Sequence, residues 1–258
     1  MTNMVVRTSL RHPEQGAPAP VSKDAIRFSA SPCGGLAIAI NGEPAVLRAS
    51  GALWLPGHRA LIVADLHFEK GSAYAMRGQL LPPYDTRETL ARLEKEVAAT
   101  TPDLLIFLGD SFHDGAAEDR LAGDDAARLA ALADGRRLVW VVGNHDADGP
   151  RCLPGEIVDE MVLGPLLLRH EPRAGHQPGE VSGHLHPAAK VAARGGRVRR
   201  RCFITDGDRV VLPAFGAYAG GLNVKDAAFA GMFAARPLAA TLGRDKVHAI
   251  GWTSLVGD

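Results

Sequence analysis

The middle of the chain carries three short, continuous apolar runs of the kind that form fully buried strands. They lie at Ala60–Ala64, Leu104–Leu108 and Leu138–Val142. Short runs without polar alternation are typical of inner strands that are covered on both faces of a sheet. Within two residues of its end, each run is followed by Asp or Asn. The pattern therefore predicts a sheet whose inner strands all end in polar side chains.

Segments with helical spacing separate these runs. Leu90, Leu93 and Val97 lie on one face of a helical repeat and predict a helix over Thr86–Thr100. The segment Glu118–Ala133 predicts a second helix before the third strand. Strands that alternate with helices in this way are typical of an α/β fold.

Both flanks of this region are richer in strands. On the N-terminal side, Leu36–Ala60 breaks into short apolar runs around turn signals such as Asn41-Gly42, which predicts antiparallel strands. On the C-terminal side we expect strands at Leu166–Leu168 and Glu180–Ser182 and a hairpin over Val198–Leu212. Because strands dominate the second half, a mixed sheet or two stacked sheets is expected.

Composition adds limits on domain number and partners. The chain has 258 residues, of which 46% are hydrophobic, and this suits one large domain. Residues 1–25, which carry several prolines, predict a flexible N-terminal leader, and residues 26–258 predict a single domain. The 29 basic residues balance the 29 acidic ones, so a nucleic-acid or membrane partner would have to rest on local patches.

Cysteine usage and hydropathy indicate a compartment. The three cysteines are Cys33, Cys152 and Cys202, and their wide, odd-numbered distribution favours reduced thiols. We see neither a signal peptide nor an apolar run long enough for a membrane span. We therefore expect a cytoplasmic protein without a membrane partner.

Five polar motifs follow the predicted core strands. In an open α/β sheet the ligand site lies outside the carboxyl ends of the strands, so these motifs are expected to meet. Each motif alone is weak, because Gly-Asp after a strand is usually a turn and a lone histidine is usually structural. The hypothesis of a common site rests on the occurrence of all five motifs in this order. The motifs are Asp65-x-His67, Gly109-Asp110, Gly143-Asn144-His145-Asp146, His170 and Gly183-His184-Leu185-His186.

The residue types indicate a metal centre. Carboxylates, imidazoles and an amide are ligands for Mn, Fe, Zn or Ni rather than members of a thiolate site. About seven candidate ligands are too many for one ion and suit two ions that share a carboxylate. We therefore predict two divalent metal ions, with Mn favoured and Fe, Zn, Ni or Mg as alternatives.

In this order the motifs resemble those of the calcineurin-like metallophosphoesterase superfamily, over Leu61 to Pro187. The resemblance implies a four-layer α/β/β/α sandwich of two mixed sheets with a dinuclear centre between their loop ends. It implies that Asp110 bridges two ions and that the other ligands divide into two sets. Those sets would be Asp65, His67 and His186 for the first metal and Asn144, His170 and His184 for the second.

The same motifs suggest candidates for proton transfer. His145 would not bind metal in such a site, and we predict it as the general acid that protonates the leaving oxygen. Asp146 and Asp114 are candidates for the group that orients His145, and the sequence does not choose between them. His113 could touch substrate, support a ligand or simply pack. The predicted catalytic set is therefore His145, Asp146 and His113.

The form of the motifs narrows the resemblance. Gly109–His113 is similar to a form found in DNA-repair nucleases, and Asp114 and Val142 stand where protein phosphatases carry phosphate-gripping arginines. Ala64–Gly71 and Leu212–Asn223 look like the bacterial ligase-associated DNA-damage-response endonuclease branch. That resemblance implies a DNA endonuclease or phosphodiesterase linked to repair, with DNA-repair partner proteins and, as in related nucleases, a homodimer.

Three functions remain open from the sequence. The first is a nuclease or phosphodiesterase that acts on DNA. A basic run at Arg194–Arg201 could grip its phosphate backbone, although such a run is more often a solvated face. The second is a phosphodiesterase or phosphomonoesterase for small, nucleotide-type compounds. The third is a non-catalytic module that binds metal or phosphate within a repair complex.

Overall fold

The computed structural model describes residues 26–79, 81–193 and 196–258. The predicted leader at residues 1–25 and Arg194 of the basic run lie outside the described residues. The first sheet has eight strands that pair in chain order. They are β1 (Phe28–Ala30), β2 (Leu36–Ile40), β3 (Glu43–Leu47), β4 (Leu53–Leu55), β5 (Ala60–Val63), β6 (Leu104–Leu108), β7 (Arg137–Val141) and β8 (Glu156–Val158).

The second sheet has nine strands. They are β9 (Glu160–Leu163), β10 (Leu166–Arg169), β11 (Glu180–Ser182), β12 (Pro187–Ala193), β13 (Gly196–Thr205), β14 (Val210–Val211), β15 (Leu222–Asn223), β16 (Leu238–Leu242) and β17 (Val247–Gly251). Their order is β15-β12-β13-β14-β11-β10-β9, and β16 pairs with both β13 and β17. Both sheets are mixed: β1 to β5 pair antiparallel while β5 to β8 pair parallel, and β10, β11 and β14 are parallel within the second sheet.

Among the described residues, the α-helices lie between β5 and β7 in the chain. They are α1 (Lys70–Met76), α2 (Asp85–Thr100), α3 (Ala117–Arg120) and α4 (Gly123–Ala131), with 3-10 turns at Pro56–His58, Ala227–Phe229 and Trp252–Ser254. The predicted helix over Thr86–Thr100 is confirmed as α2. The single helix predicted over Glu118–Ala133 is wrong in its continuity, because Leu121 and Ala122 adopt extended backbone and separate α3 from α4.

Three apolar clusters hold the layers together. One fills the space between the two sheets and includes Ile62, Ile106 and Phe203. A second packs the first sheet against the helices, where Leu90 and Leu93 of α2 are fully buried. A third covers the outer face of the second sheet, beneath the 3-10 turns. Burying a leucine side chain contributes about 1.5–3 kcal/mol, so these clusters dominate the stability of the layers.

The layers explain the sequence pattern. Strands β5, β6 and most of β7 are buried on both faces, because the second sheet covers one side and the helices cover the other. That is why their apolar runs are continuous. The predicted α/β fold with two mixed sheets is confirmed. The turn predicted at Asn41-Gly42 joins β2 to β3 with φ values of 48° and 84°, the left-handed backbone that a two-residue hairpin requires.

Within the described ranges, the helices are all too short or too polar to cross a bilayer.

Candidate metal centre

Parallel strands of the first sheet deliver one half of the site. Because β5, β6 and β7 run parallel, the residues after them meet at one edge. Asp65, His67 and Asp110 each adopt left-handed backbone, with φ values of 54°, 47° and 46°. Such backbone costs a non-glycine residue on the order of 1–3 kcal/mol and persists where surrounding contacts enforce it. Here the amides of Asp65 and His67 donate to the carbonyls of Gly109 (3.1 Å) and Asp110 (2.9 Å).

The second sheet delivers the other half. His170 follows β10, and His184 and His186 follow β11, which pairs parallel with β10. The amide of His184 donates to both carboxylate oxygens of Asp65, at 3.1 and 3.0 Å. This contact joins the loops of the two sheets. The site therefore lies where the strand ends of both sheets face each other.

One group of side chains forms around Asp65. The Nε2 atoms of His67 and His186 lie 3.2 Å apart, and Nε2 of His186 is 3.2 Å from Oδ1 of Asp65. The potential ligand atoms of these three residues all lie within 4.8 Å of one another.

A second group forms around His170. Its Nε2 lies 3.1 Å from Oδ1 of Asn144 and 3.2 Å from Nδ1 of His184. It is also 3.3 Å from Oδ1 of Asp110. The other carboxylate oxygen of Asp110 lies 4.0 Å from Nε2 of His67, in the first group. The Asp110 carboxylate therefore stands between the two groups.

The donor set fits divalent metal ions. Imidazole nitrogens and carboxylate and amide oxygens converge with their electron pairs toward common points, and a shared proton satisfies such a cluster only in part. A cation satisfies this arrangement, and ligands of these types are the ones that Mn, Fe, Zn and Ni use.

The local electrostatics give His67 and Asp110 the protonation states that metal ligands need. Burial, followed by the charge of His186, lowers the pKa of His67 to about 3. Burial alone would raise the pKa of Asp110, but the hydrogen bond and charge of His170 outweigh it and lower that pKa to about 2. Burial disfavours charged His170 too, yet Asp110 and Asp65 raise its pKa to about 9. His67 is thus neutral and Asp110 anionic, whereas His170 must release a proton when it ligates a metal.

Glycines permit the close approach of these loops. A Cβ atom built on Gly109 would lie 2.2 Å from Nδ1 of His170, and one on Gly143 would lie 2.3 Å from Oδ1 of Asp110. A Cβ on Gly183 would lie 2.6 Å from Oδ2 of Asp65. These distances are too short for any side chain, so the glycines beside the predicted ligands are a packing requirement of the site.

His145 lies beside the two groups. Its Nδ1 is 2.7 Å from the carbonyl oxygen of His113, which can only accept, so Nδ1 carries a proton and donates it. Nε2 then faces the site, 3.9 Å from Oδ2 of Asp110. The His145 side chain is 39% exposed, which leaves it accessible to a substrate. The rings of His113 and His145 stack with centroids 5.5 Å apart.

The two carboxylates that the sequence suggested as partners of His145 have other contacts. Asp146 accepts from the amides of Ser111 (2.7 Å), Phe112 (3.1 Å) and Gly143 (3.0 Å). It thereby ties the loop after β6 to the loop after β7. Asp114 binds Nη2 of Arg120 through both oxygens at 2.9 Å. The orienting contact of His145 comes from a backbone carbonyl, which side-chain patterns cannot reveal. Catalytic roles for His113 and Asp146 stay predictions.

Two further side chains, those of Lys70 and Tyr74, lie at the mouth of the site next to His113. The ring of Tyr74 is 5.8 Å from that of His113, and Nζ of Lys70 is 5.9 Å from the Tyr74 ring centroid. Burial and the positive charge of Lys70 lower the pKa of His113. Sequence reasoning did not single out Lys70. Its only signal was its place three residues after His67, in the segment that carries the resemblance.

The basic run divides in the structure. Nη1 of Arg199 binds the carboxylate of Asp258 at 2.9 and 3.0 Å. Nη1 of Arg201 donates to the carbonyls of Ala214 (2.8 Å) and Gly216 (3.0 Å), so this side chain points into the molecule. The described part of the run is therefore not one uniform solvated row.

This chain is similar to known proteins in sequence and structure. The profile of the calcineurin-like phosphoesterases matches residues 58–201, more than half of the chain. The crystal structure of the Pseudomonas putida nuclease MPE is 31% identical with a TM-score of 0.64, covering 84% of this chain and 100% of that one. The E. coli phosphoesterase YfcE is 14% identical with a TM-score of 0.37, covering 74% and 98%.

A curated relative covers less. The probable inactive purple acid phosphatase 29 of Arabidopsis thaliana is 27% identical over 169 residues, which are 62% of this chain and 43% of that protein. This chain thus spans less than half the length of that relative. The profile match, together with the convergent ligand groups, decides the family. The chain belongs to the calcineurin-like phosphoesterase family, a family of metal-dependent phosphoester hydrolases.

Proposed function

We propose that this protein is a dinuclear-metal-dependent phosphodiesterase that cuts DNA internally and serves DNA repair. The observation that carries the proposal is the position of the Asp110 carboxylate, with one oxygen 3.3 Å from His170 and the other 4.0 Å from His67. One carboxylate between two ligand groups suits a pair of ions. The likeness to a nuclease at 31% identity over the whole of that chain supports a polynucleotide substrate.

Each ion would have its own ligands. Asp65, His67 and His186 would hold the first and Asn144, His170 and His184 the second, with Asp110 shared. Manganese is our choice of metal, and iron, zinc, nickel or magnesium would suit the same donor types. When bound, such ions polarise phosphoryl oxygens and activate water as a nucleophile. Asn144 contributes a neutral oxygen, so its ion keeps more positive charge than a further carboxylate would leave.

His145 would donate the proton to the leaving oxygen. Because Nδ1 donates to the carbonyl of His113, the ring is fixed with Nε2 toward the site. In the protonated imidazole, Nε2 then holds the proton that can be transferred. A general acid placed in this way contributes about 10²- to 10⁴-fold to the rate. His113, stacked beside it, would limit the movement of the His145 ring.

The mouth of the site would receive the phosphodiester. The positive charge of Lys70 lies beside Tyr74 and His113 and would attract an anionic substrate. Tyr74 is only partly buried and offers a ring on which a base could stack. Phe68 and Phe112 are buried, so they do not serve this purpose.

One observation favours a second candidate, a small-molecule phosphodiesterase or phosphomonoesterase. A cavity of about 300 Å³ next to His145 is lined by Asp114, Glu118 and Asp148 as well as Arg151. Carboxylates at this position would repel a long polyanion more than a single phosphoester group. A third candidate is a non-catalytic partner module. It is supported by one relative that is described as probably inactive.

The test is turnover by chelator-treated protein after Mn is added back. Bis-p-nitrophenyl phosphate, p-nitrophenyl phosphate, a single-stranded oligonucleotide and a covalently closed circular DNA are assayed side by side. We expect Mn-dependent cleavage of the diester and of both DNAs, since the closed circle can be opened only by internal cleavage. Turnover of the small esters with intact DNA would favour the second candidate. Bound metal without any turnover would leave the partner module, and chromatographic mass measurement on the same sample tests the predicted homodimer.

A further inference from the structure

A second polar cavity lies apart from the metal ligands. Its volume is about 630 Å³. Its walls come from the turn after β3, from α2, from β13 and from the turn between β16 and β17. Six cationic side chains line it, together with two carboxylates, those of Glu96 and Asp245. The cations are Arg48, Arg92, Lys95, Arg200, Arg201 and Arg244.

Arg92 is the unusual member of this set. Its Nε and Nη2 atoms are buried and have no hydrogen-bond partner among the described residues. The guanidinium lies 5.3 Å from the ring centroid of Phe215, a contact that offers attraction but no hydrogen-bond acceptor. A buried donor without an acceptor costs on the order of 1–3 kcal/mol, and more when it is charged. Native proteins rarely leave such groups without a protein, water or ion partner.

Arg201 adds a second positive charge. The exposed carboxylate of Glu88, which does not line the cavity, attracts both Arg92 and Arg201. Its Nη1 atom donates to two backbone carbonyls, which satisfy hydrogen bonds but carry no negative charge to balance the guanidinium. Burial and the positive charge of Arg92 lower the pKa of Arg201. Glu88 raises the pKa of both arginines, but it does not outweigh burial, and both pKa values stay lowered. A further anion near both half-buried guanidinium groups would therefore stabilise them.

The carboxylates of the cavity do not supply that anion. Glu96 is paired with Arg48. Asp245 lies in the exposed turn between β16 and β17. The remaining wall is positive, with Lys95, Arg200 and Arg244 around the half-buried pair of arginines.

We propose that this basic cavity binds a phosphate group at a site separate from the metal centre. Guanidinium groups bind tetrahedral phosphate through paired N–H donors, and several of them around one cavity suit its multiple charge. The cavity volume falls within the roughly 300–1,000 Å³ that small-ligand sites occupy. The phosphate can belong to a polynucleotide backbone or to a free phosphate compound, because both present the same group. The proposal does not depend on which phosphoester the metal centre hydrolyses.

Equilibrium dialysis of the metal-loaded protein against radiolabelled inorganic phosphate tests the site. We expect Arg92→Met to bind one phosphate fewer per chain than the parent protein. Its Mn-dependent turnover of bis-p-nitrophenyl phosphate should stay within about twofold, because Arg92 contacts none of the proposed ligands. Arg197→Met is the matched control, since it removes an exposed arginine of the same β13 strand outside the cavity. That control should keep the full number of phosphates.

The outcomes separate clearly. Parental phosphate stoichiometry in Arg92→Met would overturn the site, and so would an equal loss in Arg197→Met, because general surface charge would then explain the binding. If Arg92→Met folds poorly by circular dichroism, Arg200→Met is measured instead and should weaken the same binding at least about threefold. Displacement of the labelled phosphate by an oligonucleotide identifies the backbone as its source, whereas displacement only by a mononucleotide identifies a free phosphate compound. Either displacement upholds the site.

Discussion

The metal centre and the basic cavity are both polar concavities, but they are built in opposite ways. In the metal centre, acceptor atoms from short motifs converge, and glycines let the loops approach within contact distance. In the basic cavity, donor groups from four separate elements converge, and two buried N–H groups of Arg92 lack a hydrogen-bond acceptor within the described ranges. One site is short of cations and the other is short of anions.

This difference teaches what each site needs to be complete. In the metal centre, ligand oxygens and nitrogens lie 3.1–3.3 Å from one another. A small cation between them would complete the site. Buried guanidinium groups need an anion large enough to reach several donors. We therefore expect a chelator to empty the metal centre without changing phosphate binding in the basic cavity. Variants of one site should not affect the other.

The largest effect is expected from the shared carboxylate. Asp110→Asn keeps the shape of the side chain but removes the charge that stands between the two ligand groups. We expect it to lose at least one metal per chain and to lower diester turnover by more than the roughly 10- to 100-fold that outer-sphere partners cost. Elemental analysis and Mn-dependent turnover measure both quantities.

The control for this variant is Glu156→Gln, which alters an exposed carboxylate paired with Arg137 at 2.6 Å. It should retain metal and turnover. Full metal content in Asp110→Asn would remove the shared-ligand assignment. Loss of labelled phosphate at the basic cavity in Asp110→Asn would break the proposed independence of the two sites.

His145→Ala sharpens the comparison within the metal centre, because His145 is placed beside the ligands and not among them. We expect it to keep its metals and to lose about 10²- to 10⁴-fold of turnover on DNA. On bis-p-nitrophenyl phosphate the loss should be smaller, since p-nitrophenolate leaves without protonation. His176→Ala, an exposed histidine away from the site, is the control. An equal loss on both substrates would contradict a role in protonating the leaving group.

The grouping of the candidate metal ligands could be predicted from the sequence because the motifs are local. Strands β5, β6 and β7 are continuous apolar runs, and the polar residues that follow them are fixed in position by the ends of the strands. The parallel register then brings Asp65, Asp110 and Asn144 to one edge. The order of the motifs therefore predicted both the fold and the candidate ligands.

Other features depend on contacts between distant residues and could not be read in this way. The orienting partner of His145 is the backbone carbonyl of His113, and every residue has such a carbonyl. Arg92 looks like an ordinary polar position of α2, and only the packing of Phe215 and Arg201 against it makes it unusual. The break between α3 and α4 lies at Ala122, whose extended backbone interrupts the single helix predicted over Glu118–Ala133.

A smaller effect should follow from filling the space that a motif glycine leaves. Gly143→Ala places a Cβ atom 2.3 Å from the amide nitrogen and from Oδ1 of Asp110, so the two loops must separate. We expect a loss of about 1–3 kcal/mol in the free energy of unfolding, the usual cost of overpacking. Metal affinity should fall with it. Gly115→Ala is the matched control because its Cβ would meet no atom within 4 Å, and thermal unfolding of both variants with and without Mn gives the comparison.

The smallest effect is expected on the salt dependence of DNA binding. If a polynucleotide lies in the basic cavity, replacing an arginine that contacts a phosphate should reduce the slope of log affinity against log salt by about 1. Replacing Arg199, Arg200 and Arg201 together should flatten that slope. Among single variants, Arg200→Met should reduce the slope more than Arg199→Met, because Asp258 already neutralises Arg199. Fluorescence anisotropy of a labelled oligonucleotide over a range of salt concentrations, with Arg197→Met as reference, measures the slopes. Equal slopes for Arg199→Met and Arg200→Met would mean that DNA senses overall charge and does not enter the cavity.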